Sequence, residues 1–294
     1  MKQLLTSFAF LVVTFMPLHA QDEYPVPVIP DTITDIEARA GYAVMHYWEH
    51  FNFSDTTLLH QGSYAEQALS NFIGLLGYAS QQQQEKAVRQ WVDAITPHPV
   101  VFNYFAETTE QYLFNTESPL HNDSLYCLTA VQLLQSPACE EAFQTRTQFQ
   151  LQLIHSNQPG HQATDFRYET LDGKRHTLLS DTGQQKTLLL FYDPDCENCK
   201  DLLFRLRHSS LLKQQISEGT IRMLAISTED DEVTWRAQCS DMPNTWILGI
   251  DRSDILGQSL YDLRQLPAMY LLDSKGNVLF KHLSYQELMT QLTR

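Results

Sequence analysis

The chain has 294 residues, which favours two domains of about 100 to 150 residues over one. With 43% hydrophobic and 19% charged residues it has the material for packed cores and lacks the composition of a disordered protein. A formal net charge of -15 opposes phosphate backbones and anionic lipid heads, so nucleic-acid and membrane-surface binding are disfavoured.

Residues 1–20 read as an export signal: Lys2 supplies the positive start, Leu4 to Phe15 the apolar run, and Leu18-His19-Ala20 a cleavage site before Gln21. The run is short for a membrane span, so no stable insertion is expected once it is removed. An uncleaved anchor is the competing reading, because Leu18 is large for signal peptidase and the start carries one charge.

Residues 21–156 are predicted to form an all-α helical domain. Thr34 with Glu37, and Ser63 with Glu66, match capping boxes. Ile36, Ala40, Val44, Tyr47 and Phe51 lie on one helical stripe; Leu69, Phe72, Ile73 and Leu76 on a second; Val88, Trp91, Val92 and Ile95 on a third. Pro97 and Pro99 interrupt the chain, and further helices are predicted over 101–114, 124–134 and 137–154, the last with Pro137 in its first turn.

From residue 157 to 294 strands alternate with helices, the pattern of an α/β sheet. Asp172-Gly173 between two short apolar runs signals a hairpin. Thr187 to Tyr192 is a continuous apolar run suited to a strand buried on both faces. A helix after the cysteines, strands over 221–226, 247–250, 269–272 and 278–281, and helices over 233–239 and 285–292 complete the domain.

Five cysteines, an odd number thinly spread, do not make a structural disulfide framework. Cys196-Glu197-Asn198-Cys199 is the one close pair, and no second C-x-x-C or C-x-x-H completes a zinc cage, so a redox dithiol is the leading reading. The strand ending in Asp193-Pro194-Asp195 delivers Cys196 to a helix N-terminus, where free amides favour a thiolate. Cys196 is then the nucleophile and Cys199 the resolving thiol.

The order of strand, C-x-x-C at a helix start, strand, helix and Leu266-Pro267 before an apolar strand resembles the thioredoxin superfamily. Residues 159–166, Pro-Gly-His-Gln-Ala-Thr-Asp-Phe, and the stretch from Gln265 to Gly276 are similar to its TlpA-like, AhpC-TSA-related branch. The resemblance implies an α/β thioredoxin fold over 157–294, a cis bond at Pro267 beside the dithiol, and substrate contact through Leu266, Asp195, Glu197 and Asn198. It implies periplasmic disulfide exchange with cysteine-containing envelope proteins and a membrane thiol electron donor, with no cofactor or metal. The helical part, through Tyr47-Trp48 and Phe51-Asn52-Phe53, resembles a bacterial domain of unknown function that precedes such domains.

The branch's pattern is broken in places. Asp195 replaces a common tryptophan, and Leu190 occupies the position of a buried acid. Asp193, Asp195 and Glu197 crowd the first cysteine with charge that opposes the helix end, which points to reduction or isomerisation rather than oxidation. A peroxidase would need a threonine where Asp193 stands. His46-Tyr47-Trp48-Glu49-His50 matches H-x-x-E-H, yet its aromatic neighbours suit packing better than zinc. Cys127 and Cys139 are read as a disulfide or as buried thiols, and Cys239 as core. The competing function is a redox-inactive thioredoxin-fold scaffold whose helical domain recognises a partner.

Overall fold

The computed structural model describes residues 24–61, 63–180 and 183–293, so the export segment read at 1–20 lies outside the described residues. The chain divides into two compact units, 1–139 and 140–294.

The first unit is helical, with α1 (Ile36–His46), α2 (Tyr64–Leu76), α3 (Gln81–Ile95), α4 (Pro99–Leu113) and α5 (Asp123–Gln135), and a short 3-10 turn at Thr56–His60. Helix α1 packs against α2 and α3, and α5 against α3 and α4. Aromatic side chains fill the centre: Trp48 lies 5.4 Å from Phe72, 5.6 Å from Phe105 and 6.1 Å from Trp91, ring centre to ring centre. These are the edge-on and offset contacts that aromatic quadrupoles favour.

Several helix ends differ from the sequence expectation. Asp35, not Thr34, caps α1, its carboxylate accepting from Ala38 N at 2.9 Å, because a carboxylate at that position also complements the helix end. Ser63 precedes α2 without a side-chain cap bond, whereas Ser80 with Gln83 and Ser284 with Glu287 form reciprocal capping boxes. Helix α1 stops at His46, so the H-x-x-E-H stretch runs into a turn: His46 Nδ1 meets Glu49 Oε1 at 2.5 Å, and His50 is exposed. Among the described residues no cluster of three or more metal-ligating side chains occurs.

The second unit begins with α6 (Glu141–His155), which starts four residues beyond Pro137 and belongs here although the sequence reading ended the helical domain at 156. Its end is tied to the sheet by Lys281 Nζ, which donates to the carbonyls of Ile154 at 2.8 Å and Ser156 at 2.9 Å. Strands β1 (Arg167–Thr170), β2 (Arg175–Thr177), β3 (Lys186–Tyr192), β4 (Ile221–Ser227), β5 (Ile247–Asp251), β6 (Ala268–Leu272) and β7 (Val278–Lys281) form one sheet in the order β2-β1-β5-β4-β3-β6-β7. Strands β3, β4 and β5 are parallel, and the remaining pairings are antiparallel. This is the thioredoxin-like fold expected from the sequence.

Helices α7 (Glu197–His208) and α8 (Ser210–Ser217) connect β3 to β4, α9 (Glu232–Cys239) connects β4 to β5, and α10 (Tyr285–Leu292) follows β7. Strand alternation sorts the core into two layers. Leu188, Leu190 and Tyr192 join Leu202, Leu206, Trp235 and Leu288 on one face of the sheet, while Leu189 and Phe191 join Phe166, Tyr168, Tyr261 and Tyr270 on the other. The central strand β3 therefore ends with its last side chain, Tyr192, on the face covered by α7.

Leu190 is fully buried in that central strand. Leu190→Ala is expected to cost about 2–5 kcal/mol, the usual range for a Leu truncated in a core. Hydrogen exchange of the β3 and β4 amides measures it, with protection falling in these strands first.

Candidate active site

The dithiol is assembled by three segments. Strand β3 runs parallel to β4 and antiparallel to β6, which fixes its end at the centre of the sheet. Asp193-Pro194-Asp195 then turns the chain, Asp193 Oδ1 accepting from Asp195 N at 2.6 Å. Gln238 Nε2 of α9 donates to the carbonyl of Pro194 at 3.0 Å and holds this turn from the side.

Cys196 is the N-cap of α7. Its sulfur accepts a hydrogen bond from the amide of Cys199 at 3.2 Å, so the thiol fills the role that Ser or Asp usually plays at a helix start. The same sulfur lies 3.7 Å from the carbonyl oxygen of Leu266, with the thiol donating. The Leu266–Pro267 bond is cis, as the sequence comparison implied. Cys196, Cys199 and the Leu266–Pro267 step are thus brought together, with Leu266 and Pro267 half-buried.

The two sulfurs sit in different environments. Cys196 is half-exposed and Cys199 fully buried. Burial pushes the Cys199 thiol up to about 12, reinforced by its hydrogen bond with Cys196. Cys199 is accordingly held as a neutral thiol until its partner sulfur is engaged.

Asp195, Glu197 and Asn198 are exposed and form one rim of the site. Lys200 Nζ bonds Glu197 at 2.8 Å and the Asp195 carbonyl at 3.4 Å, so the cation beside the dithiol is already engaged. Sequence reasoning missed the opposite rim, Glu229-Asp230-Asp231, which follows β4. Thr228 N donates to the Tyr192 carbonyl at 3.0 Å and brings that rim to the dithiol turn. The Glu229 carboxyl is raised by desolvation and then by Asp193, Asp230 and Asp195.

A second unforeseen feature supports the proline loop from below. Asp262 is 1% exposed and receives Arg264 Nε at 2.9 Å and a second guanidinium nitrogen at 2.7 Å, with His282 Nε2 at 3.4 Å and Lys281 Nζ at 3.7 Å. Desolvation opposes its charge, but the hydrogen bonds from Arg264 and His282 prevail and hold the carboxyl well below the usual range. Three residues lie between Asp262 and Leu266. The visible hint in the sequence is the Asp-x-Arg spacing just before Leu-Pro; Lys281 and His282 arrive from a different strand and leave no local pattern.

Sheet order, cis proline and a C-x-x-C at the start of α7 define a thioredoxin-like domain, the fold of thiol-disulfide oxidoreductases. The chain belongs to the family of the domain of unknown function DUF5106, which matches residues 4–157, and residues 159–281 match the AhpC/TSA family. The DUF5106 match includes α6, which packs with the second unit. A thioredoxin-like protein from Bacteroides caccae is similar over 92% of this chain and 98% of its own, at 28% identity and a TM-score of 0.78. A conserved protein of unknown function from Bacteroides fragilis is 34% identical over 46% of this chain and 98% of its own, with a TM-score of 0.44. A thiol-disulfide oxidoreductase from the same species is 20% identical over 45% of this chain and 97% of its own, with a TM-score of 0.40. None of the curated proteins matches the chain.

Asp262→Asn removes the buried carboxylate that Arg264, Lys281 and His282 meet and is expected to destabilise the protein by about 3–5 kcal/mol. Because the folded carboxyl is depressed, its contribution is present above about pH 4 and is lost as the pH falls below that, towards its folded value. Urea unfolding at a series of pH values should show an acid-dependent loss in the wild type that the variant lacks.

Proposed function

We propose that the protein is a periplasmic thiol-disulfide oxidoreductase that reduces or isomerises disulfides of envelope proteins. The observation that carries this reading is the half-exposed Cys196 sulfur at the start of α7, beside the Leu266 carbonyl and one helical turn from buried Cys199. The Cys196 thiolate attacks a client disulfide, forming a mixed disulfide and releasing one client sulfur. Cys199 then displaces the second client sulfur and closes Cys196–Cys199, so the client gains two electrons and the dithiol loses two.

The backbone around Leu266 offers a client its carbonyl as a strand-like contact, and the rim of Asp195, Glu197 and Asn198 meets the residues flanking the client cysteine. The cycle needs a reductant for the closed disulfide, and a membrane thiol donor on the far side of export is the class that supplies it. Export rests on the reading of residues 1–20. Among the described residues no helix is long and apolar enough to cross a membrane. Asp193 stands where a peroxidase needs a hydroxyl, and its carboxylate is occupied by the Asp195 amide, which favours disulfide over peroxide chemistry.

Insulin reduction with dithiothreitol as donor is expected to proceed with the wild type and to fall to the uncatalysed rate with Cys196→Ser. Cys199→Ala should instead accumulate mixed disulfides with client proteins, visible as reducible adducts on non-reducing gels of envelope extracts. Unchanged insulin reduction by Cys196→Ser would remove the dithiol from the mechanism and leave the scaffold reading in its place.

A further inference from the structure

The turn that delivers Cys196 to α7 is irregular backbone, so its polar groups need partners that no helix or sheet ladder supplies. Several are met locally. Asp193 Oδ1 accepts from Asp195 N at 2.6 Å, the Asp193 carbonyl accepts from Cys196 N at 3.3 Å, and the Cys196 sulfur accepts from Cys199 N at 3.2 Å. Other elements reach the turn as well. Thr228 N, after β4, donates to the Tyr192 carbonyl at 3.0 Å, and Gln238 Nε2 of α9 donates to the Pro194 carbonyl, also at 3.0 Å.

The Gln238 bond acts at a sensitive place. The carbonyl of Pro194 and the N–H of Asp195 belong to one planar peptide unit. Gln238 holds the carbonyl end and the Asp193 carboxylate holds the N–H end, so both ends of the unit are clamped one residue before the nucleophile. The clamp has a firm base. Trp235 and Cys239 of α9 are buried in the same core layer as Cys199, and Gln238 stands three residues after one and next to the other.

The amide is also costly for mere packing. Gln238 Oε1 is shut off from solvent and meets no partner, so one half of the side chain is left unsatisfied while the other serves Pro194. An apolar side chain of the same length would fill the space without that penalty.

We infer that, on the thiol-disulfide reading above, Gln238 is a positioning residue for the nucleophile: it fixes the peptide unit before Cys196 so that the sulfur receives the Cys199 amide and faces the Leu266 carbonyl. The free amide at the helix start is what favours a thiolate there, and the sulfur gains it only while the turn holds its place. Without the Gln238 donor the unit is free to rotate, and that alignment weakens.

The charges around Cys196 do not change when Gln238 is replaced by another uncharged residue. Its own turn and helix bring Asp193, Asp195, Glu197 and Lys200, the last bonded to Glu197 at 2.8 Å. The segment after β4 brings Glu229, Asp230 and Asp231. On α9 itself Glu232 pairs with Arg236 at 2.7 Å, and the proline loop presents the Leu266 carbonyl.

The test uses the full chain with Cys127→Ser and Cys139→Ser, which removes the half-buried thiols, and 5,5'-dithiobis(2-nitrobenzoate) as the disulfide. The Cys196 thiolate bonds to one sulfur of the reagent, and the other leaves as thionitrobenzoate with the electron pair of the broken S–S bond. Cys199 then displaces the second thionitrobenzoate and closes Cys196–Cys199, so stopped-flow absorbance separates the two releases. Gln238→Met keeps the length of the side chain and removes the donor. It should raise the pH midpoint of the first release by about one unit and slow that release about threefold at pH 7, since a thiolate fraction up to about tenfold smaller is offset in part by the greater nucleophilicity of a more basic sulfur. Above the midpoint the first release should not be slowed. Gln238→Glu, which sets a carboxylate against the carbonyl, should move the midpoint at least as far. In the parent protein the Gln238 Nε2 protons should exchange slowly with solvent by NMR, a measurement that needs no variant at this position. An unchanged midpoint in Gln238→Met, slowing that is equal at every pH, or rapid exchange of the Nε2 protons would overturn the inference. A parent protein that releases no thionitrobenzoate at all would overturn the thiol-disulfide reading itself.

Discussion

The contact on which the second unit's chemistry depends is that between the first turn of α7 and the loop from Asp262 to Pro267. Cys196 takes the free amide of Cys199 on one side and reaches the Leu266 carbonyl on the other. A helix start supplies unsatisfied N–H groups, and a sulfur placed there gains both a donor and the positive end of the helix. The loop closes the opposite side with a carbonyl instead of a side chain, which leaves the sulfur open to another protein. Parallel pairing of β3 with β4 and antiparallel pairing with β6 are what bring these two segments to one end of the sheet.

That loop is not held by apolar packing alone. Asp262 draws Arg264, Lys281 and His282 around one buried carboxylate, and Lys281 also bonds the last carbonyls of α6. A buried charge is costly unless its partners satisfy it, and here the partners come from both ends of the β6–β7 hairpin. The cluster joins the proline loop, the edge strand β7 and the end of α6 in one electrostatic unit.

Much of this was legible in the sequence, and the gaps have identifiable causes. The apolar run from Thr187 to Tyr192, the Asp172-Gly173 turn and Leu266-Pro267 each express a local rule, so strands, hairpin and dithiol could be placed before any coordinates. Helix boundaries were read less well, since Thr34, Asp35 and Ser63 all satisfy the composition of a cap and only backbone geometry selects Asp35. Pro137 is compatible with a first turn, yet α6 begins at Glu141. The Asp262 cluster and the Glu229–Asp231 rim were invisible because their partners lie on other strands, and charge pairing over such distances has no periodicity. The burial of Tyr192 was foreseen as part of an apolar strand, whereas the neighbours of its hydroxyl, Trp235 and Cys239, come from α9 and belong to tertiary structure.

Under the proposed function, the electrostatics favour reduction or isomerisation over oxidation. A dithiol becomes a strong oxidant when its reduced form is stabilised, and here the buried Cys199 is held as a neutral thiol while acidic side chains ring the mouth of the site. The burial of Cys199 and the acidic rim oppose the reduced, ionised pair that the helix end at Cys196 favours. Equilibration of the protein with dithiothreitol buffers, read as the two-dalton mass difference between dithiol and disulfide, tests this most directly. A reversible two-electron transition at about -200 mV or below, towards the thioredoxin value, is the expected result; a midpoint near that of DsbA, about -120 mV, or no transition, would contradict the account.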